Sequence, residues 1–155
     1  MVVGATSCNI SAGELTALEA LYNATNGDNW DWRTDEDDIK YYYYEPYDGG
    51  SVWTFPASVS DPCTNNWQGV NCSLSQESSS SCFVDCVILR NYNLRGGALP
   101  KDISGLTGLS TLDLGHNSIN GTIPTEVGAL ANLEDLDLSY NLISGQIPSQ
   151  LLNLE

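Results

Sequence analysis

LTGLSTLDLGHNSINGTIPTEVGA, residues 106–129, is followed at once by LANLEDLDLSYNLISGQIPSQLLN, residues 130–153. The two segments superpose position for position without a gap, which fixes a repeat length of 24 residues. A period of that size marks stacked repeat units, each too thin to bury its own apolar side chains and each covered by its neighbour. Leu112, Leu114, Ile119, Ile123 and Val127 recur as Leu136, Leu138, Ile143, Ile147 and Leu151, so these are the expected core positions. Asn117 recurs as Asn141, and an amide at that point offers both donors and an acceptor to backbone groups that face the interior. Gly121-Thr122-Ile123-Pro124 and Gly145-Gln146-Ile147-Pro148 mark a change of chain direction, glycine tolerating positive φ and proline fixing its own.

Working outward, residues 82–105 read as a degenerate first repeat with Val87, Leu89, Leu94, Leu99 and Pro100 at the core positions. Tyr92 stands there in place of asparagine, and Gly96-Gly97 adds one residue; terminal repeats are often atypical. Before the repeats, Ser11-Ala12-Gly13-Glu14 has the form of a capping box and predicts a helix start. Leu15, Leu18, Leu21 and Tyr22 follow at helical spacing, and Asn26-Gly27 supplies a left-handed stop. A helix this short needs a surface to pack on, and the open end of the repeat stack is the expected one.

Five cysteines, with a single histidine far from them and no CxxC, do not make a zinc site; disulfides are the expected use. Cys63 and Cys72 close a small ring around Trp67 and Gly69, a bridge that contributes about 2–3 kcal/mol by restricting the unfolded chain. For the rest, two pairings stay open. The expectation adopted is Cys82–Cys86 with Cys8 left over, and its rival bridges Cys8 to Cys82 or Cys86. Asn9, Asn23, Asn71 and Asn120 each begin an N-glycosylation sequon, in keeping with a secretory route.

The leucine-rich helix, GDNW at 27–30, C-x3-W-x-G-V-x-C at 63–72 and the LxxLxLxxNxLxGxIP repeats together resemble extracellular plant-type leucine-rich-repeat proteins. Receptor-kinase ectodomains and polygalacturonase inhibitors are the relatives the resemblance allows. It implies an α/β-type solenoid, a short right-handed superhelix with a helical, disulfide-tied N-terminal cap. On this reading residues 1–81 form the cap, 82–153 about three repeats, and 154–155 resemble a cloning remnant. Residues 33–60 are not required by the family pattern and read as an acidic, tyrosine-rich insertion. Its Asp35–Asp38 run lacks the DxDxDG spacing of a calcium loop, so no metal site is expected there. Tyr41, Tyr42, Tyr43, Tyr44 and Trp53 are its candidate contact residues, tyrosine giving amphipathic contact area at low entropic cost. A hairpin laid against the cap, turning at Asp48-Gly49-Gly50, is the plainer alternative.

The chain carries 20 Asp+Glu against 5 Lys+Arg, a net charge of −15, which repels phosphate backbones and makes nucleic acid a poor partner. No apolar run approaches the roughly 20 residues of a membrane span. Nucleophile elbows, HExxH, P-loops and dinucleotide fingerprints are absent, and an open repeat surface neither buries nor perturbs a carboxylate pair, so no enzyme and no cofactor are expected. The outward positions of the short strands remain as the binding face: Arg90, Asn91, Thr111, Asp113, His116, Glu134, Asp135, Asp137 and Tyr140. Their acidity suits a cationic or hydroxyl-rich protein, peptide or glycan. Asp137→Lys is expected to weaken binding without lowering the melting temperature. The expected function is therefore extracellular recognition; the alternatives are a structural matrix, cell-wall or ice-associated protein, or the N-terminal fragment of a receptor. Leu154 is expected to leave an apolar coil face open, which would favour self-association.

Overall fold

The 24-residue period appears in three dimensions as a repeated order of strand, turn and single 3-10 turn. In the computed structural model, which describes residues 9–33, 50–55, 61–75 and 81–154, strands β1 (Val70–Leu74), β2 (Cys82–Ile88), β3 (Thr111–Asp113) and β5 (Asp135–Asp137) form one sheet. β1 runs antiparallel to β2, and β2, β3 and β5 are parallel, with Val87, Leu112 and Leu136 in one row across the sheet. On the far side of each unit lie the 3-10 helices Lys101–Gly105, Thr125–Ala129 and Ser149–Asn153, and between these two sides β4 (Asn120–Gly121) pairs in parallel with β6 (Leu142–Ile143).

Leucine spacing places the core as expected. Leu89, Leu94, Leu106, Leu109, Leu112, Leu114, Ile119 and Val127 are buried, each worth roughly 1.5–3 kcal/mol of transfer free energy. In the last repeat Leu130 and Leu133 are still buried, but Leu136, Leu138, Ile143 and Leu151 are only half covered, and Leu142, Ile147 and Leu152 are exposed.

Helix α1 (Ala12–Ala24) begins and ends where the sequence places it. Ser11 Oγ accepts the Glu14 N–H, Glu14 accepts the Ser11 N–H in return, and Asn26 beyond the C-terminus takes the left-handed conformation at φ 62°. Glu14 is nonetheless 3% exposed, which a capping carboxylate on a helix surface would not be. Its second oxygen accepts the Val84 N–H at 2.8 Å, so this one side chain caps the helix and fastens it to β2.

Beside the helix, Trp53 and Trp67 stack at 5.5 Å, with Trp30 edge-on to Trp53 at 5.0 Å. Trp53, expected as a contact residue, is 2% exposed and hydrogen-bonded through Nε1 to the Gln68 carbonyl. It belongs to the core beside α1, which is assembled from aromatic rings. The buried Gln68 amide accepts from Arg33 N and donates to the Arg33 and Gly50 carbonyls, joining the two described flanks of the insertion. Tyr41, Tyr42, Tyr43, Tyr44, the Asp35–Asp38 run and the turn at Asp48-Gly49 lie outside the described residues.

Cys63–Cys72 is formed, with its Cα atoms 5.7 Å apart. The Cys82–Cys86 pairing is not: Cys86 is free and Cys82 is disulfide-bonded, its partner lying outside the described residues, as Cys8 does. Both thiols sit on the extended strand β2, where four residues span about 13 Å, roughly twice the Cα separation a disulfide tolerates.

Candidate functional site

Strand alternation turns Leu112 and Leu136 into the core and Thr111, Asp113, Asp135 and Asp137 outward. Across the sheet the outward rows are Cys86–Thr111–Asp135 and Ile88–Asp113–Asp137. The register between β1 and β2 shifts at Asn71/Cys72, which leaves Asp85 as the extra residue of a bulge, so Val84 and Val87 can both point inward although they are three residues apart.

Arg90 organises one end of this face. Its Nε donates to Asp113 at 2.8 Å and its Nη2 to Asp137, so one guanidinium spans two repeats. The same aspartates accept backbone N–H groups two residues on, Gly115 N for Asp113 and Ser139 N for Asp137, which orients both carboxylates identically toward Arg90. Gly115 leaves room for this arrangement: a Cβ there would lie 2.8 Å from the guanidinium and displace it. Burial alone would lower the Arg90 pKa, but the hydrogen bonds and charges of Asp113 and Asp137 outweigh it and raise it. Asp137 is held below the usual carboxylate range, chiefly by hydrogen bonding from Ser139 against an opposing burial effect, with Arg90 adding to the depression. A lysine at 137 would face Arg90, so Asp137→Lys cannot be the stability-neutral probe expected from sequence. The negative charge of the face is also smaller than the sequence suggests, because Asp113 and Asp137 are already paired.

Next to this clasp, the rings of His116 and Tyr140 stack at 4.1 Å and 18° in exposed positions, both residues at φ 53°. Asn91 takes the same left-handed conformation one unit earlier at φ 59°. Asn117 and Asn141 form the ladder behind them. Asn117 Oδ1 accepts the Tyr92 and Leu94 N–H groups, while its Nδ2 donates to the Leu89 and Leu114 carbonyls. Asn141 repeats the pattern with Ile119 N and Leu114 O.

All nine sequence-expected face residues thus lie on the outward side of the sheet or on the segments that enter and leave it, but in different roles. Arg90, Asp113 and Asp137 are tied to one another; Glu134, Asp135, His116 and Tyr140 are exposed and Thr111 is half-buried; Asn91 serves the turn. Arg33, which no sequence pattern ties to this face, reaches it from outside: its Nη2 donates to the Arg90 carbonyl and its guanidinium lies 4.6 Å from the Tyr92 ring centroid. The small residues Gly115 and Ser139, aligned with Arg90 in the repeats, are the one sequence signal that marks room for its side chain. Of the sequon asparagines, Asn9, Asn23 and Asn120 are exposed and Asn71 is half-buried beside the Cys63–Cys72 bridge. Among the described residues no group of three or more His, Cys, Asp or Glu side chains could hold a metal ion, and no helix is long and apolar enough to cross a membrane.

Residues 99–143 match the leucine rich repeat family. No curated protein sequence matches the chain. Among solved structures, the BIR2 ectodomain of Arabidopsis thaliana is 24% identical with a TM-score of 0.64, the match covering 94% of this chain and 63% of that one. The Arabidopsis BIR3–SERK2 complex matches at 24% identity and a TM-score of 0.60, over 88% of this chain and 61% of that one. The LRR ectodomain of the Arabidopsis receptor kinase HAESA, in complex with an N-terminal extended IDA peptide hormone ligand, is 37% identical with a TM-score of 0.50, over 63% of this chain and 15% of that one. The chain therefore spans about three fifths of the BIR2 and BIR3–SERK2 chains it matches. Residues 99–143 thus carry leucine-rich repeats, and the fold of the chain resembles that of plant receptor-kinase and co-receptor ectodomains.

Proposed function

We propose that this leucine-rich-repeat chain is the recognition part of a secreted or cell-surface protein, binding a peptide or protein partner through the outward face of β2, β3 and β5. In this reading residues 1–81 cap a short right-handed solenoid of about three repeats, 82–153, and the molecule is a binding module with no enzymatic step. One observation carries it. The outward row Thr111–Asp135, with Glu134, is polar, open to solvent and unused by the core, while the Arg90 clasp and the asparagine ladder hold the backbone beneath it in fixed register. Such a pre-ordered surface loses little entropy on binding. Similarity to HAESA, which was solved with a peptide hormone, and to a chain of the BIR3–SERK2 complex favours a peptide or another ectodomain over a glycan.

The test is selection of a random peptide display library on the immobilised chain, followed by the double variant Thr111→Arg/Asp135→Arg, which fills the face without touching the core. Saturable binders that lose at least about ten-fold in affinity on the variant, with Tm unchanged, are expected. A library that yields no saturable binder, or binders indifferent to the variant, would overturn the proposal. The exposed Leu142, Ile147 and Leu152 favour a second reading, contact with another copy of the chain; a molecular mass by light scattering that stays monomeric as concentration rises removes it.

A further inference from the structure

Where the strands begin, at the opposite end of the sheet from the Arg90 clasp, an open cleft of about 600 Å³ lies between the cap side of the sheet and the loops that enter β3 and β5. That is the size of a site for a small ligand or one large side chain. Phe83, Asp85, Gly108, Ser110, Asn132 and Glu134 are among the residues that line it. The Phe83 ring packs against Gly108, where a Cβ would come within 2.2 Å of it, so glycine at 108 gives the ring its place in the wall. Asp85, the bulge residue of β2, is aimed by two hydroxyls: Ser73 Oγ donates to Oδ2 at 2.9 Å and Ser110 Oγ to Oδ1 at 2.7 Å. Two further lone-pair positions of that carboxylate stay open. Glu134 lies one strand beyond Ser110 and two from Asp85, set by its N–H on the Ser110 carbonyl, and its side chain is exposed. Asn132 Nδ2 donates to the Thr107 carbonyl at 2.8 Å, which fixes the amide with its Oδ1 as an acceptor.

Asp113 and Asp137 have their cation in Arg90. Among the described residues Asp85 and Glu134 have none within 4 Å. The cleft therefore joins an aromatic wall, an oriented carboxylate, a second carboxylate and a fixed amide oxygen, a set rich in acceptors and, among the described residues lining it, without a cation. A planar guanidinium satisfies that set: its five N–H donors reach several acceptors at once and its face lies on a phenyl ring. We propose that this cleft seats an arginine side chain of the partner. The inference rests on the recognition reading above and names one chemical group that the partner presents.

The probe is N-acetyl-arginine methylamide, titrated by NMR against the intact chain, with the citrulline analogue as its uncharged isostere. Saturable shifts at Phe83, Ser110 and Asn132 are expected with arginine and not with citrulline. Glu134→Gln, at an exposed side chain that the fold does not use, is expected to weaken arginine binding about five-fold or more, while Asp102→Asn on the far side, with the same change in net charge, weakens it less than two-fold. Equal shifts from the two analogues, absence of saturation, or equal effects of the two variants would overturn the proposal. The blocked arginine probe reads the cleft without any selected peptide, so failure of the peptide selection and failure of the arginine seat are separate results.

Discussion

Replacing Asn117 by alanine removes one side chain from the centre of the repeat stack and exposes how much of the fold depends on the ladder. Its Oδ1 accepts the N–H groups of Tyr92 and Leu94 at 3.1 and 3.0 Å, and its Nδ2 donates to Leu89, Leu114 and Gly115 carbonyls at 2.8, 2.9 and 3.1 Å. Alanine reaches none of them. Carbonyls tolerate partial satisfaction, so the decisive loss is the two N–H groups, each costing about 1–3 kcal/mol if water cannot reach it. Tyr92 and Leu94 are both buried, which places the cost at about 2–5 kcal/mol, a large share of the 5–15 kcal/mol that stabilises a typical domain. Asn141→Ala is the internal control. That residue accepts only the Ile119 N–H, and the last repeat is half open, so water can substitute and the cost falls to about 1 kcal/mol. Urea unfolding followed by tryptophan fluorescence reads both variants, with unchanged m-values showing that the same surface is exposed. A smaller effect at Asn117 than at Asn141 would refute the reasoning. Asn117→Asp sharpens the comparison, since it keeps the acceptor, loses the donors and sets a carboxylate against carbonyl oxygens; it should be no better than alanine.

Glu14→Ala should cost about 2–4 kcal/mol in the same assay, more than a surface cap residue, because it leaves the buried Val84 N–H without its acceptor as well as opening the capping box. Arg90→Ala should lower stability by about 1 kcal/mol, discounted for the solvent around Asp137, and added salt should recover part of the loss by screening Asp113 from Asp137; a loss independent of salt would point to packing alone. Because the folded-state pKa of Asp137 is depressed, its stabilising contribution is complete above the unfolded value near about 4 and disappears as pH falls through the folded value. Calorimetric Tm should thus fall more steeply below about pH 4 in the wild type than in Asp137→Asn, and parallel curves would contradict the assignment.

Much of this architecture was legible because it is local or periodic. The capping box at Ser11–Glu14 and the left-handed Asn26 are set within a few residues, and the core leucines and Asn117/Asn141 repeat at a spacing that only stacking satisfies. The outward face was legible for the same reason, since alternation along a strand fixes which side chains leave the core. What the face residues do to one another was not. Arg90 meets Asp113 and Asp137 across sequence separations of 23 and 47, and Glu14 meets Val84 across 70, contacts that no local pattern encodes. Trp53 looked like a binding residue because its own segment is polar; rings from α1, the turn after it and the Cys63–Cys72 loop close over it only once the cap is assembled. The bulge at Asp85 and the extended course of β2 likewise determine which cysteines can meet and where a carboxylate points. Sequence by itself determined the repeat, its core and its exposed side, because short-range sterics and hydrophobic spacing dictate them. Tertiary structure decided which charges are neutralised, which aromatic rings are buried and where an unsatisfied cleft remains, because those depend on distances between units that exist only after they stack.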